Sequence, residues 1–257
     1  MSAVAPRLSY VLAVHNSASF LAGTVQRVVT RLDGMPGSEV ILVENGSRDE
    51  SALLCDELSL RATTANVTVV SARSATGLGW ALRRGMELAK GELIVLSAAD
   101  LPFGFTDLDG WLSRTPRAAL GLGSKGHPDS SILAPSLIRH SVSWVFRVLR
   151  RALVGLNVAD SQGSILIQSR LARRVLPHLA CTDYLVSTEI ICWAVQLGAA
   201  PVELPIRYPP PASSTVSPLS DAWRMAVGLV ALRRRLRAVP ARLLKSDAPI
   251  GGGPRHS

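Results

Sequence analysis

Residues 8–14 read LSYVLAV, and the next apolar positions, Leu21, Val25, Val28, Val29 and Leu32, fall at helical spacing within residues 18–32. A short apolar run followed by a stripe of period 3.6 is a strand feeding a helix. The alternation recurs outward from there. Val40–Val43 follows the turn residues Gly34, Pro36 and Gly37; a helix is expected around 50–60, a strand at NVTVV (66–70), a helix over 78–89 and a strand at ELIVL (92–96). Strands that are apolar throughout, separated by amphipathic helices, predict βαβ units and a mostly parallel sheet covered on both faces. The expected class is α/β, with one Rossmann-like domain over residues 1–208.

The second half is less regular. A long amphipathic helix is expected over 137–156, with Arg139, Arg147, Arg150 and Arg151, then a strand at 164–167, a helix at 188–197 and an edge strand VELPIR at 202–207 whose proline suits an edge. Residues 208–220 form a Pro/Ser-rich connector, followed by a basic amphipathic helix over 221–237 and a tail, so that 209–257 reads as an appendage.

Of the 257 residues, 47% are hydrophobic and 18% charged, which excludes a disordered or fibrous chain. The net charge is +9, which points to a polyanionic partner: nucleic acid, a phosphorylated substrate or anionic lipid. Residues 221–257 hold eight basic residues against two acidic ones, so most of that charge sits in the tail. Aromatic residues make up 5% of the chain, too few for a base-stacking surface, and with no binding module recognisable the sequence argues against nucleic acid. Cys55, Cys181 and Cys192 lack metal-ligand spacing and read as small buried hydrophobes of a reducing compartment. Met1–Ser9 has no apolar run and nothing reaches the roughly 18 apolar residues of a spanning helix. The expected location is cytoplasmic, peripheral at the inner face of the membrane.

In open parallel sheets ligands bind beyond the carboxyl ends of the strands. The segments there are His15-Asn16-Ser17, Glu44-Asn45-Gly46-Ser47, Ala72-Arg73-Ser74 and Ser97-Ala98-Ala99-Asp100. Each alone is also ordinary turn and cap chemistry. Together with Gly77-Leu78-Gly79-Trp80-Ala81-Leu82-Arg83-Arg84-Gly85, Ala89-Lys90-Gly91-Glu92, Asp160-Ser161-Gln162-Gly163-Ser164 and Glu203-Leu204-Pro205-Ile206, in that order, they resemble the family 2 inverting glycosyltransferases. The likeness is greatest to the polyprenyl-phosphate (dolichol-phosphate) mannosyl- and glucosyltransferases, and it spans roughly residues 7–208.

The resemblance implies a GT-A type nucleotide-sugar-binding fold and a sugar transfer from a GDP- or UDP-linked donor to polyprenyl phosphate. Donor binding would fall to Asn16, Glu44, Asn45, Gly46, Ser47, Arg73, Gly77, Gly79, Ala99 and Asp100. Asp100 would also hold Mg²⁺ or Mn²⁺ against the diphosphate, since hard cations take carboxylate oxygens. The chain departs from the family here: the first aspartate of the Asp-x-Asp pair is Ala98, and Pro102 stands where a Gln is common. Asp100 could instead cap the following turn.

Acceptor phosphate would be gripped by Lys125, in Ser124-Lys125-Gly126-His127, and by Arg139 and Ser143, four residues apart on one helix face. Arg150 and Arg151 could equally be the wet face of that helix. A phosphate acceptor needs no strong base, whereas a hydroxyl acceptor needs one, for which Asp160 is the candidate with Gln162 orienting. Glu189 is a weaker candidate at the acceptor and could instead pair with a cation or cap a buried turn. The basic helix, residues 221–245, suits an anionic membrane surface, or it packs on the domain. Two other readings stay open: transfer to a soluble hydroxyl acceptor, and a non-catalytic binding protein that lost the metal pair.

Overall fold

The computed structural model describes residues 7–132, 137–208 and 218–239, the side chains of 132–143 and 218–224 excepted. Strand β1 (Leu8–Val14) is buried along its whole length between β2 (Ser38–Glu44) and β4 (Leu93–Ala98), parallel to both, and β3 (Val67–Arg73) extends the sheet beyond β2. Tyr10 and Leu12 enter one core while Val11 and Ala13 enter the other. A strand buried on both faces has no wet side to alternate with, which is why its sequence is apolar throughout.

Helices α1 (Ala18–Leu32) and α2 (Ser51–Arg61) cover the Tyr10 face, and α3 (Leu78–Leu88) covers the Val11 face. The stripe predicted for α1 is the one buried: Leu21, Val25, Val28, Val29 and Leu32. At roughly 1.5–3 kcal/mol for each large aliphatic side chain removed from water, that face alone holds the helix to the sheet.

Among the elements without a counterpart in the sequence reading are α4 (Thr106–Leu112), β5 (Leu120–Gly123) and α6 (Ser169–Val175). Two short strands, β6 (Ser131–Ile132) and β9 (Arg207–Tyr208), pair separately. The long helix α5 (Leu137–Val154) precedes β7 (Ile165–Gln168); α7 (Val186–Gln196), β8 (Pro201–Leu204) and α8 (Pro218–Ala238) complete the order. The strand expected over 202–207 stops at Leu204 and resumes as β9, because Pro205 has no N–H to continue the ladder. Of the connector, residues 209–217 lie outside the described residues, as do tail residues 240–257.

The sheet order is β3-β2-β1-β4-β7-β5-β8, with β7 antiparallel to both neighbours and β8 parallel to β5. Six strands therefore run one way. Their carboxyl ends and the entry to β7 share a single edge of the sheet.

The opposite edge is fastened by side chains. Ser9 Oγ donates to Glu39 Oε1 at 2.7 Å and accepts from Gly91 N at 2.7 Å, and Lys90 N donates to the same Glu39 oxygen at 2.7 Å. A Cβ on Gly91 would lie 2.6 Å from Ser9 N. The Ala89–Glu92 motif is thus a strand-entry device, remote from the ligand edge.

Candidate functional site

The first two loops of the ligand edge are built from their own short polar side chains. Asn16, in the left-handed region at φ 49°, donates from its N–H to Ser47 Oγ (3.0 Å) and accepts from Arg48 N through Oδ1 (2.8 Å). Asn45 Nδ2 donates to Val14 O at 2.8 Å, and Glu44 accepts from Ser47 N. Gly46 sits at φ 81°, where a side chain is strained. Main-chain bonds from Asn45 N to Val14 O, Ser74 N to Glu44 O and Ala99 N to Ala13 O tie the ends of β1 to β4 together. Asn16, Glu44, Asn45, Gly46, Ser47 and Ala99 therefore stand side by side, as the sequence implied. Arg73 pairs with Glu44 across the sheet, but its guanidinium is taken up by Asp56 of α2 at 2.6 Å.

Gly77 and Gly79 serve a different end from phosphate cradling. A Cβ on Gly77 would lie 2.4 Å from Thr182 O, and one on Gly79 would lie 2.1 Å from Cys181 O. Gly79 N already donates to Thr182 O (3.0 Å), and Gly77 N points at Asn45 Oδ1 at 3.4 Å. Both amides are occupied within the protein. The glycines let the chain at 181–182 lie directly on the start of α3.

After β4 the chain makes a tight loop in which Leu101 adopts φ 44° with its side chain buried. A leucine in that region costs about 1–3 kcal/mol and persists where the surroundings hold it. Asp100 on this loop reaches solvent, yet enough protein surrounds it that desolvation pushes its carboxyl above the ordinary range. Among the described residues no cluster of three His, Cys, Asp or Glu side chains could hold a metal ion. A divalent ion would have Asp100 as one oxygen ligand and would take the others from diphosphate and water, a donor set that suits hard Mg²⁺ or Mn²⁺.

Facing this loop are the segments after β5 and before β7. Gly123 N donates to Ser164 O at 3.0 Å, and a Cβ on Gly163 would lie 1.7 Å from Gly123 O, so the two chains touch at glycine. Asp160 accepts from Lys125 N (3.3 Å) and Gln162 N (2.9 Å). Glu203 braces both segments, taking Ser124 Oγ at 2.5 Å and Ala159 N at 2.7 Å. Lys125 Nζ stands 4.4 Å from the ring centre of Tyr208 and 5.6 Å from that of Phe103, a cation held between two aromatic faces.

Arg150 corrects the reading of it as a solvated helix face. It is 2% exposed; Nη1 donates to Ser161 Oγ at 2.7 Å, Nη2 to Val158 O, and Nε is buried and finds no partner among the described residues. Ser161 Oγ lies 3.0 Å from Thr188 Oγ1, which also receives Gln162 Nε2 at 3.2 Å. Arg151, its neighbour, is exposed. Arg139 and Ser143 fall in the first half of α5, where their side chains lie outside the described residues. Glu189 is fully buried: its oxygens take Ala180 N, Cys181 N and the Arg235 guanidinium. It therefore pairs with a cation and caps a buried turn, the alternative to its acceptor role.

Between the β4 loop and the β7 entry lies a cleft of about 150 Å³ lined by Ser97, Ala98, Phe103, Gln162, Gly163, Tyr184 and Ser187 among others. A larger hollow of about 530 Å³ opens at Pro205–Tyr208 and Asp129, but it contains none of the strand-end residues. Phe103, Tyr184 and Tyr208 had no role in the sequence reading, and Glu203 entered it only as part of a motif. Phe103, close to Asp100, and Glu203 carried positional hints.

Residues 9–108 match the family described as Glycosyl transferase family 2. Over that stretch, less than half of its 257 residues, the chain is similar to this family. The matched stretch holds β1 to β4 and the Asp100 loop. Two similar proteins are the dolichyl-phosphate beta-glucosyltransferases of Dictyostelium discoideum, 25% identical over 205 residues, and of Homo sapiens, 25% identical over 210 residues. Each alignment covers 77% of this chain, which spans 63% and 64% of those proteins. A solved structure of Mycobacterium tuberculosis glucosyl-3-phosphoglycerate synthase, in complex with Mn²⁺, UDP-glucose and phosphoglyceric acid, superposes with a TM-score of 0.61 at 17% identity, covering 91% of this chain and 81% of the other. The fold shared with that structure is the GT-A type.

Proposed function

We propose that the protein transfers a sugar from a nucleotide sugar to polyprenyl phosphate, with the donor on the β1–β4 edge and the acceptor on the Lys125–Asp160 side. The observation that carries this is the cleft itself: the Asp100 loop on one wall, the Asp160–Gly163 segment on the other, and Lys125 fixed on the acceptor side. The names of the relatives support a dolichyl-phosphate acceptor, and the GT-A neighbours found with Mn²⁺ and UDP-glucose support a metal-assisted sugar-nucleotide donor.

The chemistry asked of the residues is placement. A phosphate acceptor is already an anion, so in-line positioning and charge stabilisation carry most of the rate. Lys125, half-buried against Phe103 and Tyr208, supplies a cation for the acceptor phosphate, and Asp160 and Gln162, locked by Glu203, Arg150 and Thr188, orient it. Asp100 marks the diphosphate end, where a divalent ion, when bound, neutralises the leaving group. In the test, UDP- and GDP-sugars are offered with short polyprenyl phosphates and product lipid is separated; transfer to the lipid is expected. Transfer to soluble alcohols with none to the lipid phosphate would replace this acceptor with a hydroxyl one.

The lipid acceptor implies a membrane surface. No helix among the described residues is long and apolar enough to cross a membrane. Helices α5 and α8 pack on each other. On α5 Trp144, Val145 and Val148 are exposed beside Arg147 and Arg151; on α8 Val227 and Val230 are exposed, with Arg234 and Arg237 following on the same stripe. Apolar side chains flanked by arginines suit the interface of an anionic bilayer. Flotation with vesicles containing phosphatidylserine is expected at low salt and lost at high salt. Arg234→Glu with Arg237→Glu should weaken it by roughly 30-fold or more, at about 1 kcal/mol per arginine. Equal flotation of both proteins would remove α8 from the membrane contact.

A further inference from the structure

The tail helix was read as a membrane device, yet its inner face is built into the domain. Leu229 and Leu232 are fully buried, and Gln196 Nε2 of α7 donates to Leu236 O (2.9 Å) and Val239 O (3.0 Å). From this face Arg235 reaches inward. Its Nη1 pairs with Glu189 Oε1, and its Nη2 lies 3.2 Å from Cys181 Sγ.

Glu189 passes the contact on. Its second oxygen, Oε2, accepts from Ala180 N at 3.0 Å and Cys181 N at 2.7 Å, fixing the loop between α6 and α7. The next residue of that loop, Thr182, receives Gly79 N through its carbonyl, and the backbone at 181–182 fills the space that side chains at positions 77 and 79 would need. Gly77 N in turn points at Asn45 Oδ1, and Asn45 Nδ2 holds Val14 O. One unbroken series of contacts runs from the C-terminal helix to the ends of β1 and β2.

We propose that Arg235 and Glu189 are positioning residues for the nucleotide: the C-terminal helix sets the 180–182 loop, and that loop sets the start of α3 and the Asn45 turn. The inference rests on the reading that the β1–β4 edge holds the nucleotide. The physical basis is the buried ion pair: without Arg235, a carboxylate with no exposure loses its counter-charge and is drawn away from its buried position. That displacement loosens its hold on the two amides. Arg235 thus acts without touching the ligand.

Two measurements on the full chain test this. Hydrogen exchange over residues 77–82, without nucleotide, reads the mechanical link; calorimetric titration with UDP and with GDP reads its effect. Arg235→Met is expected to speed exchange at 77–82 and to raise the Kd of the nucleotide that binds by roughly 3- to 30-fold. Arg235→Lys should recover part of both. Where Arg235→Met does not fold, the pair Glu189→Gln with Arg235→Met removes the orphaned charge and is measured in the same way. Faster exchange confined to α7 and α8, with 77–82 and the Kd unchanged, overturns the proposal. Wild-type protein that binds neither nucleotide, with exchange at 77–82 still responding to Arg235→Met, overturns the nucleotide site and leaves the link standing.

Discussion

Replacing Asp100 by asparagine is expected to lower sugar transfer by roughly 10²- to 10³-fold, the usual loss when one preorganised electrostatic contact to a developing charge is removed. Ala98 leaves no second carboxylate two residues before it, so nothing on that strand end can take over. The same substitution should raise thermal stability. Desolvation lifts the carboxyl of Asp100 above its ordinary range, so the folded chain binds that proton more tightly than the unfolded chain does. The sign follows. Stability falls as pH rises from the unfolded to the folded pKa of this group, and above that interval the fold carries the cost of the charged form. Melting curves should coincide for the two proteins at acid pH and separate above the ordinary carboxylate range, the asparagine variant melting higher. A variant that melts lower at neutral pH would show that Asp100 is a structural cap and not a site held at a cost.

Arg150→Met is expected to cost about 2–4 kcal/mol and to reduce kcat by roughly 10- to 100-fold with a smaller change in donor KM. The side chain is 2% exposed and satisfies Val158 O and Ser161 Oγ together. Methionine fills the volume but leaves a buried carbonyl without its donor, at about 1–3 kcal/mol, and releases the Ser161–Thr188–Gln162 group. Lysine should recover little, since one ammonium cannot reproduce the forked geometry of a guanidinium on two partners. Urea denaturation gives the first number and single-turnover transfer the second. A variant that loses stability but keeps kcat would confine Arg150 to folding.

The parallel half of the fold was legible because burial on both faces leaves uninterrupted apolar runs, and α1 because its stripe is long. The antiparallel half was not. Strand β5, LGLG, is short and half glycine, and α4, TDLDGWL, carries a glycine and two aspartates in seven residues. The direction of β7 leaves no mark in its own four residues, since its pairing is set by strands distant in sequence. At the site, the strand-end positions were readable because parallel topology places them all on one edge. What each residue touches was not. A glycine at 79 announces a close approach without saying whether phosphate or the 181–182 backbone makes it. An arginine at 150 reads equally as a wet helix face until a loop brings Val158 and Ser161 over it, and Glu189 stays open between an acceptor contact and a buried ion pair until Arg235 arrives from 46 residues later.

The reversal of β7 has one further effect. Because it runs against β5, the chain leaves the sheet after Gly123 and re-enters before Ile165 at almost the same point, where Gly123 N meets Ser164 O at 3.0 Å. Everything between, including β6 and α5, is an excursion closed at its base. A closed loop can grow at little extra entropic cost, because each doubling of length adds only about 0.6 kcal/mol. Insertions in the outer loops of this excursion are therefore entropically cheap between two fixed posts, while its β6 stays tied to β9 and its α5 to α8.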